Sequence, residues 1–533
     1  MTVQQDHGPP HLVAGDPAPA GRMSHAEVIQ ALSGLMLGIF VTILASTIVS
    51  NALPRIIADL GGTQSVYTWV VTTELLSMTA TVPLWGKMAD LYSRKLLIQL
   101  SLGLFVVGSL IAGLATDVTL LLLSRIAQGV GAGGVGALAM IVMAAMIPPR
   151  ELGRYSGLFG AVFASATIAG PLIGGALVDT SWLGWRWCFL IGIPFSLAAI
   201  ALLQRTLHLP VIRRPVQIDW LGALLIMAGV CTLLIWSSLA GHHFAWASWP
   251  TAAFVCGGVL VLALAVRTES RAAEPILPLR IFRNRTVTLA VVASTLVGVA
   301  MFGGTVFLSQ YFQIALGKSP TVAGLMSLPM IFGVLVSSTV AGQLITRFGR
   351  WKPYLVVGSI VMTAGFVLLS TIDATTGMAP LAAYMVVLGV GVGMLMQNLV
   401  LAAQNDVPAT DLGAATSTLT FFRTMGGAIG VSALGAVLAN RVTSLLADHF
   451  GDAATGDGGA KVPDLATLPA PVLAVIRDVY GTATSNLFLV AAPIAFLAVL
   501  AVVSIKEKPL STLTGDERRA REAAPPSASD RSR

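Results

Sequence analysis

The sequence has little charge and little cysteine. Only 11% of its 533 residues are charged, 55% are hydrophobic and the mean hydropathy is +0.82, which excludes an ordinary soluble protein. Its three cysteines, Cys188, Cys231 and Cys256, lie in apolar stretches and form no CxxC motif or Cys/His pair. A disulfide framework or a zinc finger is therefore excluded, and we expect these cysteines to be packing residues.

Several catalytic signatures are missing as well. There is no Walker motif, so ATP is not expected to be the energy source. There is no HExxH motif, and all seven histidines lie outside the long apolar runs, so we predict no enzymatic activity. The pair His242 and His243 has no further ligand nearby, and we predict neither a metal nor a cofactor. A GxGxxG pattern occurs at Gly131, Gly133 and Gly136, but no strand precedes it and a dinucleotide site is rejected.

Long apolar runs are what the sequence does contain. We count fourteen, each near the roughly 20 residues that a spanning helix needs, and lipid leaves helices as the only conformation for runs of this length. The first 27 residues are polar and lack the apolar core and cleavage site of a signal peptide, so the first helix should be retained. The sequence predicts an all-α integral membrane protein.

The net charge of +7 has a topological explanation. Most of the 32 lysines and arginines fall in loops and tails that share the side of the N-terminus when fourteen helices alternate in direction. The positive-inside rule makes that side cytoplasmic. We therefore predict a multi-pass protein of the cell membrane with both termini in the cytoplasm, the lipid bilayer as its surroundings and no nucleic acid as a partner.

One carboxylate lies inside an apolar run. Glu74 belongs to the stretch 67–88, and an ionised side chain in a spanning helix costs roughly 2.5 to 3.5 kcal/mol, so it is a functional candidate that needs a partner. Arg125, in the fourth run, lies at about the same depth and is the predicted partner. Two plainer interpretations stay open: a static buried pair, or a carboxylate satisfied by neighbouring hydroxyls, those of Thr72, Thr73 and Ser77.

A cluster of mixed charge follows the same run. Gly86, Asp90, Arg94 and Lys95 lie in the short loop after it. Asp90 and Arg94 are four residues apart, so they can form an ion pair, and we predict that this pair locks a gate at the cytoplasmic side. Short cytoplasmic loops are basic in any case, so the lysines alone carry little information.

The cluster has a degenerate echo later in the chain. The segment GQLITRFGRWK aligns Gly342 with Gly86, Thr346 with Asp90 and Arg350 with Arg94. Parallel repeats of this kind, with a substrate path between them, are common in transporters. The predicted organisation has a disordered tail, a six-helix bundle, two extra helices with basic flanks, a second six-helix bundle and a disordered tail, at 1–27, 28–205, 206–285, 286–505 and 506–533. The second bundle includes a long external loop, 441–482.

These motifs together resemble those of the major facilitator superfamily, and in particular its fourteen-helix drug:proton antiporters. The resemblance covers the chain except for its tails, and it rests on five segments. These are the loop with Gly86, Asp90 and Arg94, the fourth helix with Arg125 and Gln128, the fifth helix with Gly170, Pro171, Gly174 and Gly175, the segment Thr47 to Pro54, and the start of the sixth helix with Trp185, Arg186 and Trp187. The resemblance implies a fold of two six-helix bundles plus two central helices. It also implies that the fifth-helix motif is an antiporter hinge that seals one half against the other.

Ser93 stands where the family's loop motif usually has a glycine, and a second departure from the family bears on function. Ala45 stands where the first-helix motif usually has an aspartate, whereas Glu74 stands where relatives usually have an uncharged residue. We therefore predict that the proton-carrying carboxylate has moved from the first helix to the second and pairs with Arg125 when it is deprotonated. Candidate substrate contacts in the central cavity are weaker predictions: Gln310, Gln397, Asn398 and Arg423.

The predicted function is proton-coupled export of hydrophobic or amphipathic small molecules, such as antibiotics, by a protein that acts as a monomer. Export of a lipid or of an endogenous metabolite is an alternative, for which the loop 441–482 would be the supporting feature. A receptor or scaffold without transport activity is a further alternative, and it has no need of Glu74 or of the hinge motif. The sequence does not identify the exported compound.

Overall fold

A computed structural model describes residues 25–60, 64–180, 183–207, 219–240, 244–245, 247–272, 275–450 and 469–523. Nearly all of these residues are helical. The first nine helices are α1 His25–Asp59, α2 Gln64–Leu91, α3 Arg94–Gly113, α4 Val118–Met146, α5 Pro149–Asp179, α6 Trp187–Leu190, α7 Gly192–Thr206, α8 Trp220–Leu239 and α9 Trp249–Glu269. The others are α10 Arg285–Ile314, α11 Pro320–Met326, α12 Leu328–Phe348, α13 Lys352–Leu369, α14 Met378–Asp406, α15 Leu412–Phe450, α16 Ala470–Val503 and α17 Gly515–Ala523.

Thirteen helical segments of the described chain are long and apolar enough to cross a membrane. The segment Trp187–Thr206, which joins α6 and α7, is one of them. The helix α2 has the length of a span, at 28 residues, but it is less apolar because it carries five threonines, Glu74, Lys87 and Asp90. With α2, the set corresponds to the fourteen spans that the sequence predicts.

The helices pack as two groups. The helices α1 to α7 pack among themselves, as do α10 to α16, and the two groups meet mainly where α5 packs on α12 and α2 on α15. The helices α8 and α9 pack on each other, and α8 also contacts α2 and α15. This contact pattern fits two halves with an inserted helical pair that lies beside their junction.

One end of the bundle carries most of the basic loops, and we call it the basic face. Here α2, α4, α12 and α14 end and α3, α5, α13 and α15 begin. Its basic side chains include those of Lys87, Arg94, Lys95, Arg150, Arg347, Arg350 and Lys352.

The glycine ladder of α4 explains why three helices pack closely near the centre of the first half. A Cβ on Gly133 would lie 2.6 Å from the Met78 carbonyl of α2, and one on Gly131 would lie 2.6 Å from the Phe105 amide of α3. Small residues of this kind let the backbones of membrane helices approach. The glycines thus serve close packing, with α2 on one side of α4 and α3 on the other.

Trp85 fastens α2 to α4 by one polar contact. Its ring is 4% exposed, and Nε1 donates a hydrogen bond of 2.9 Å to the Val130 carbonyl. We expect Trp85→Phe to lower the stability of the folded protein by about 0.5 to 1.5 kcal/mol, the usual net contribution of such a bond. Thermal unfolding in detergent measures this, with Trp249→Phe, whose ring is 81% exposed, as the control. Equal losses in both variants would contradict it.

The C-terminal segment, residues 504–523, corrects the predicted disorder of the tail from residue 506. It crosses the basic face and ends in α17, which begins with a capping box: the Thr514 amide donates to Glu517 Oε2 at 2.7 Å, and the Glu517 amide donates to Thr514 Oγ1 at 3.1 Å. These reciprocal bonds satisfy two free amides of the first turn. Composition, rich in Ala, Pro and Ser, misled the prediction because it ignores this local pattern.

Other predictions fall outside the described residues. They concern the first 24 residues, His242 and His243, residues 451–468 of the predicted external loop, and the chain beyond residue 523.

Candidate functional site

The structure brings Glu74 and Arg125 together between α2 and α4. Nη2 of Arg125 donates to Oε2 of Glu74, and the two side chains form a salt bridge. Both are buried, at 7% and 2% exposure. The sequence predicted this juxtaposition from the depths of the two residues in their helices. Its role in proton coupling remains a prediction.

The remaining donors of Arg125 are held by a network within the same half. Nη1 donates to Oε1 of Gln128 at 2.8 Å, and Nε donates to the Val70 carbonyl at 3.3 Å. Gln128 in turn donates from Nε2 to the Ser109 hydroxyl at 2.9 Å. The guanidinium is therefore fixed by several partners. Of the three hydroxyls named as alternative partners of Glu74, that of Ser77 donates to the Thr73 carbonyl.

Ala45 stands at the first-helix position where the family resemblance leads us to expect an aspartate. It is 4% exposed and packs with Val41 and Phe105 in a small apolar cluster. A carboxylate here would have apolar neighbours in place of charged ones. The helix-1 position is thus a packing position in this chain, whereas Glu74 on α2 is buried beside a cation.

Where the sequence predicts a gate, the end of α2 makes a close backbone contact with α15. A Cβ on Gly86 would lie 2.9 Å from the Gly413 carbonyl, so only glycine allows α2 to approach the start of α15 this closely. Beside this contact, the Asp90 carboxylate accepts hydrogen bonds of 3.0 Å from the amides of Gly413 and Ala414. Asp90 thus caps the N-terminus of α15, where free amides and the helix dipole favour a negative charge.

Arg94 has a different partner from the predicted one. It pairs with Asp516 of α17 at 2.9 Å, and the ion pair of Asp90 is with Arg519 at 3.6 Å. The Asp90–Arg94 bridge is therefore corrected: α2 ends at Leu91 and α3 begins at Arg94, so the two residues are not on one helix. The i,i+4 rule does not apply across that turn. Lys95 lies on α3 and donates to the Gln204 carbonyl at 2.7 Å.

The fifth-helix motif packs within the first half. A Cβ on Gly170 would lie 2.5 Å from Cβ of Thr47, and one on Gly174 would lie 3.2 Å from the Ile48 carbonyl, both on α1. The prediction that this motif packs against the other half is therefore wrong for Gly170 and Gly174, because both face α1. The helix runs through Pro171 and Gly175 without a break in its assignment, and a hinge role for the motif remains a prediction.

Two other glycines make the contact between halves that the motif was expected to make. A Cβ on Gly157 would lie 2.9 Å from Cγ2 of Thr339, and one on Gly160 would lie 3.1 Å from Cα of Leu335, both on α12. Sequence reasoning missed them. The spacing of three residues, which puts small side chains on one helix face, was the available signal.

The predicted substrate contacts are separated in the structure. Gln397 and Asn398 line a small cavity between the halves, whose other walls are Met140, Met143, Leu152, Phe159, Leu401 and Gln404. Arg423 donates to the Met396 carbonyl at 3.3 Å, and Gln310 lies on α10 and does not line this cavity. The structure therefore groups two of the four.

This cavity is too small for a drug-sized compound. Its volume is about 20 Å³, which is space for about one water molecule, whereas ligand pockets usually have about 300 to 1,000 Å³. Near the basic face, the two halves are thus in close contact at this cavity and at the Gly86–Gly413 crossing.

Long apolar helices that pack in two groups, a buried ion pair between α2 and α4 and a close contact between the groups are features of a membrane transporter. The family model described as Major Facilitator Superfamily matches residues 35–431, and the chain belongs to that superfamily.

Named relatives agree with this assignment. The chain is 37% identical to the uncharacterized MFS-type transporter Rv1877 of Mycobacterium tuberculosis, over 91% of this chain and 70% of the relative. It is 34% identical to the multidrug transporter protein MdtP of Bacillus subtilis, over 85% and 81%. The solved MFS proton:xylose symporter XylE shares the fold with a TM-score of 0.59 at 15% identity, over 93% of this chain and 99% of that one. The protein is a transporter and not an enzyme.

Proposed function

We propose that the chain is a proton-coupled antiporter that exports hydrophobic or amphipathic small molecules across a bacterial cytoplasmic membrane, with its basic face in the cytoplasm. The observation that carries this proposal is the buried Glu74–Arg125 pair between α2 and α4. Relatives named as multidrug transporters support the substrate class, and the positive-inside rule supports the orientation.

The pair can couple proton movement to a change of shape. While Arg125 lies against Glu74, the opposite charge favours the ionised carboxylate. If a substrate-dependent rearrangement separates Glu74 from Arg125, the carboxylate is left buried and unpaired, and desolvation then favours its protonated form. Protonation in one arrangement and release in the other would move a proton with each cycle, and each charge carried through the potential supplies about 2.3 kcal/mol per 100 mV.

The gate would determine to which side of the membrane each of the two arrangements is open. With α2 against α15 and the small cavity enclosed, the path through the basic face is closed. Opening that face requires Asp90 to leave the first amides of α15 and Gly86 to separate from Gly413. A substrate would then reach the region around Gln397 and Asn398 from the cytoplasm.

Proteoliposomes with an imposed pH gradient test this proposal. We expect a fluorescent lipophilic cation to move against the direction of the proton gradient, and its movement to stop when an ionophore removes the gradient. Liposomes without protein are the control. Transport that continues at the same rate without a gradient would overturn proton coupling, and transport in the same direction as protons would overturn antiport.

A further inference from the structure

The C-terminal segment contacts both halves of the transporter at the basic face. On the side of the first half, Asp516 pairs with Arg94 at 2.9 Å and Arg519 with Asp90 at 3.6 Å, and the Arg150 amide donates to the Ser511 carbonyl at 3.3 Å. The two ion pairs involve the same loop that forms the gate.

The C-terminal segment also contacts the second half, along the end of α14. Asn405 exchanges two bonds with the segment: its Nδ2 donates to the Pro509 carbonyl at 3.0 Å, and its Oδ1 accepts from the Ser511 amide at 2.8 Å. Lys508 forms a salt bridge with Asp406. Farther along, Arg519 donates to the Ala409 carbonyl at 3.0 Å.

Arg518 of the C-terminal segment also binds the end of α14. Its guanidinium donates to the carbonyls of Gln404, at 3.0 Å, and of Val407, which are among the unsatisfied carbonyls at the end of α14. Burial lowers the pKa of Arg518, and the nearby Glu522 carboxylate opposes that shift. One side chain of the segment therefore supplies the C-terminal cap that α14 lacks.

Gly515 sits where the three elements meet. A Cβ on this residue would lie 2.8 Å from the Ala144 carbonyl of α4 and 2.8 Å from Cδ1 of Leu412 at the start of α15. The start of α17 is thus wedged between a helix of the first half and a helix of the second. A helix of nine residues is marginal by itself in water, so docking is what holds it.

We propose that the C-terminal segment is a strap that stabilises the closed basic face, with Asp516 and Arg519 as positioning residues for Arg94 and Asp90. It must detach from one half each time that face opens. This inference rests on the proposed function, because it assigns the gate a closed and an open arrangement. The strap makes opening a regulated step, because anything that binds or removes the segment shifts the balance between the closed and the open arrangement.

Thiol accessibility in the small cavity tests the strap. Met143→Cys, 3% exposed at the cavity wall, is placed in a background in which Cys188, Cys231 and Cys256 are replaced by alanine, and the purified protein is treated with a water-soluble maleimide in detergent. We expect labelling about fivefold or more faster in a chain that ends at Thr514 and in the double variant Asp516→Ala, Arg519→Ala, a factor that corresponds to about 1 kcal/mol. Arg521→Ala, on the exposed side of α17, should label like the full chain.

A charge exchange separates the specific ion pair from general damage. Arg94→Asp should accelerate labelling, and Arg94→Asp combined with Asp516→Arg should return it towards the rate of the full chain. Equal labelling of the shortened and full chains would overturn the strap, and so would a charge exchange that restores nothing. Failure of the proposed function is distinguishable, because labelling would then still depend on the segment while dye transport would not follow the proton gradient.

Discussion

We expect Glu74→Gln to lower the rate of transport driven by a pH gradient at least about tenfold, while the protein remains folded. The amide has nearly the shape of the carboxylic acid and can still accept a hydrogen bond from Arg125, but it cannot take up and release a proton. Truncating one partner of a buried ion pair usually costs about 3 to 5 kcal/mol because a charge is left uncompensated. The amide oxygen, together with Gln128 and the Val70 carbonyl, keeps that cost smaller.

The measurement compares gradient-driven dye movement with exchange of labelled and unlabelled substrate across the membrane without a gradient. Exchange needs only the shape change, so the variant should retain it and lose the driven transport. Glu151→Gln, an exposed carboxylate at the start of α5, is the matched control and should behave like the unaltered chain. A Glu74→Gln variant that still concentrates the dye at the normal rate would place the proton-carrying group elsewhere.

Gly413→Ala is expected to hold the basic face open. The new Cβ would lie 2.7 Å from Oδ1 of Asp90 and close to the Gly86 carbonyl, so α2 and α15 would have to move apart and the Asp90 cap would be lost. Overpacking of this kind costs about 1 to 3 kcal/mol. Because the cost falls on the closed arrangement, the balance should shift about 5- to 150-fold towards the open one.

Labelling of Met143→Cys measures this shift, and transport should fall in parallel because the cycle needs both arrangements. Gly103→Ala is the control, since no neighbouring atom of the described structure lies within 4 Å of its new Cβ. Normal labelling and normal transport in Gly413→Ala would show that the Gly86–Gly413 contact does not limit closure.

Sequence reasoning could predict the features that are set by the length of apolar runs and by the depth of a residue within its helix. Apolar runs of sufficient length place the spanning helices, and helical rise places Glu74 at the level of Arg125. Sequence reasoning did not identify the partner of Asp90. Free amides occur at the start of every helix, so those at the start of α15 have no residue signature. The face of a glycine motif was also out of reach: Gly170 and Gly174 could pack on any neighbour, and only the tertiary arrangement selects α1.

The tail shows a different limit. Its composition predicts disorder, yet Thr514 and Glu517 have the spacing of a capping box, and Asp516 and Arg519 meet charges that lie more than 400 positions earlier in the chain. Ordering therefore depends on a surface that exists only after both halves have folded. No local scan of the sequence evaluates that surface.

The position of α8 has a mechanical consequence. It contacts α2 and α15, which belong to different halves, and Glu269 at the end of its partner α9 lies close enough to Lys87 of α2 to interact electrostatically. A single rigid piece cannot remain seated on two bodies that move apart. In the proposed cycle the inserted pair therefore travels with one half and slides along the other, so the two halves are not mechanically equivalent.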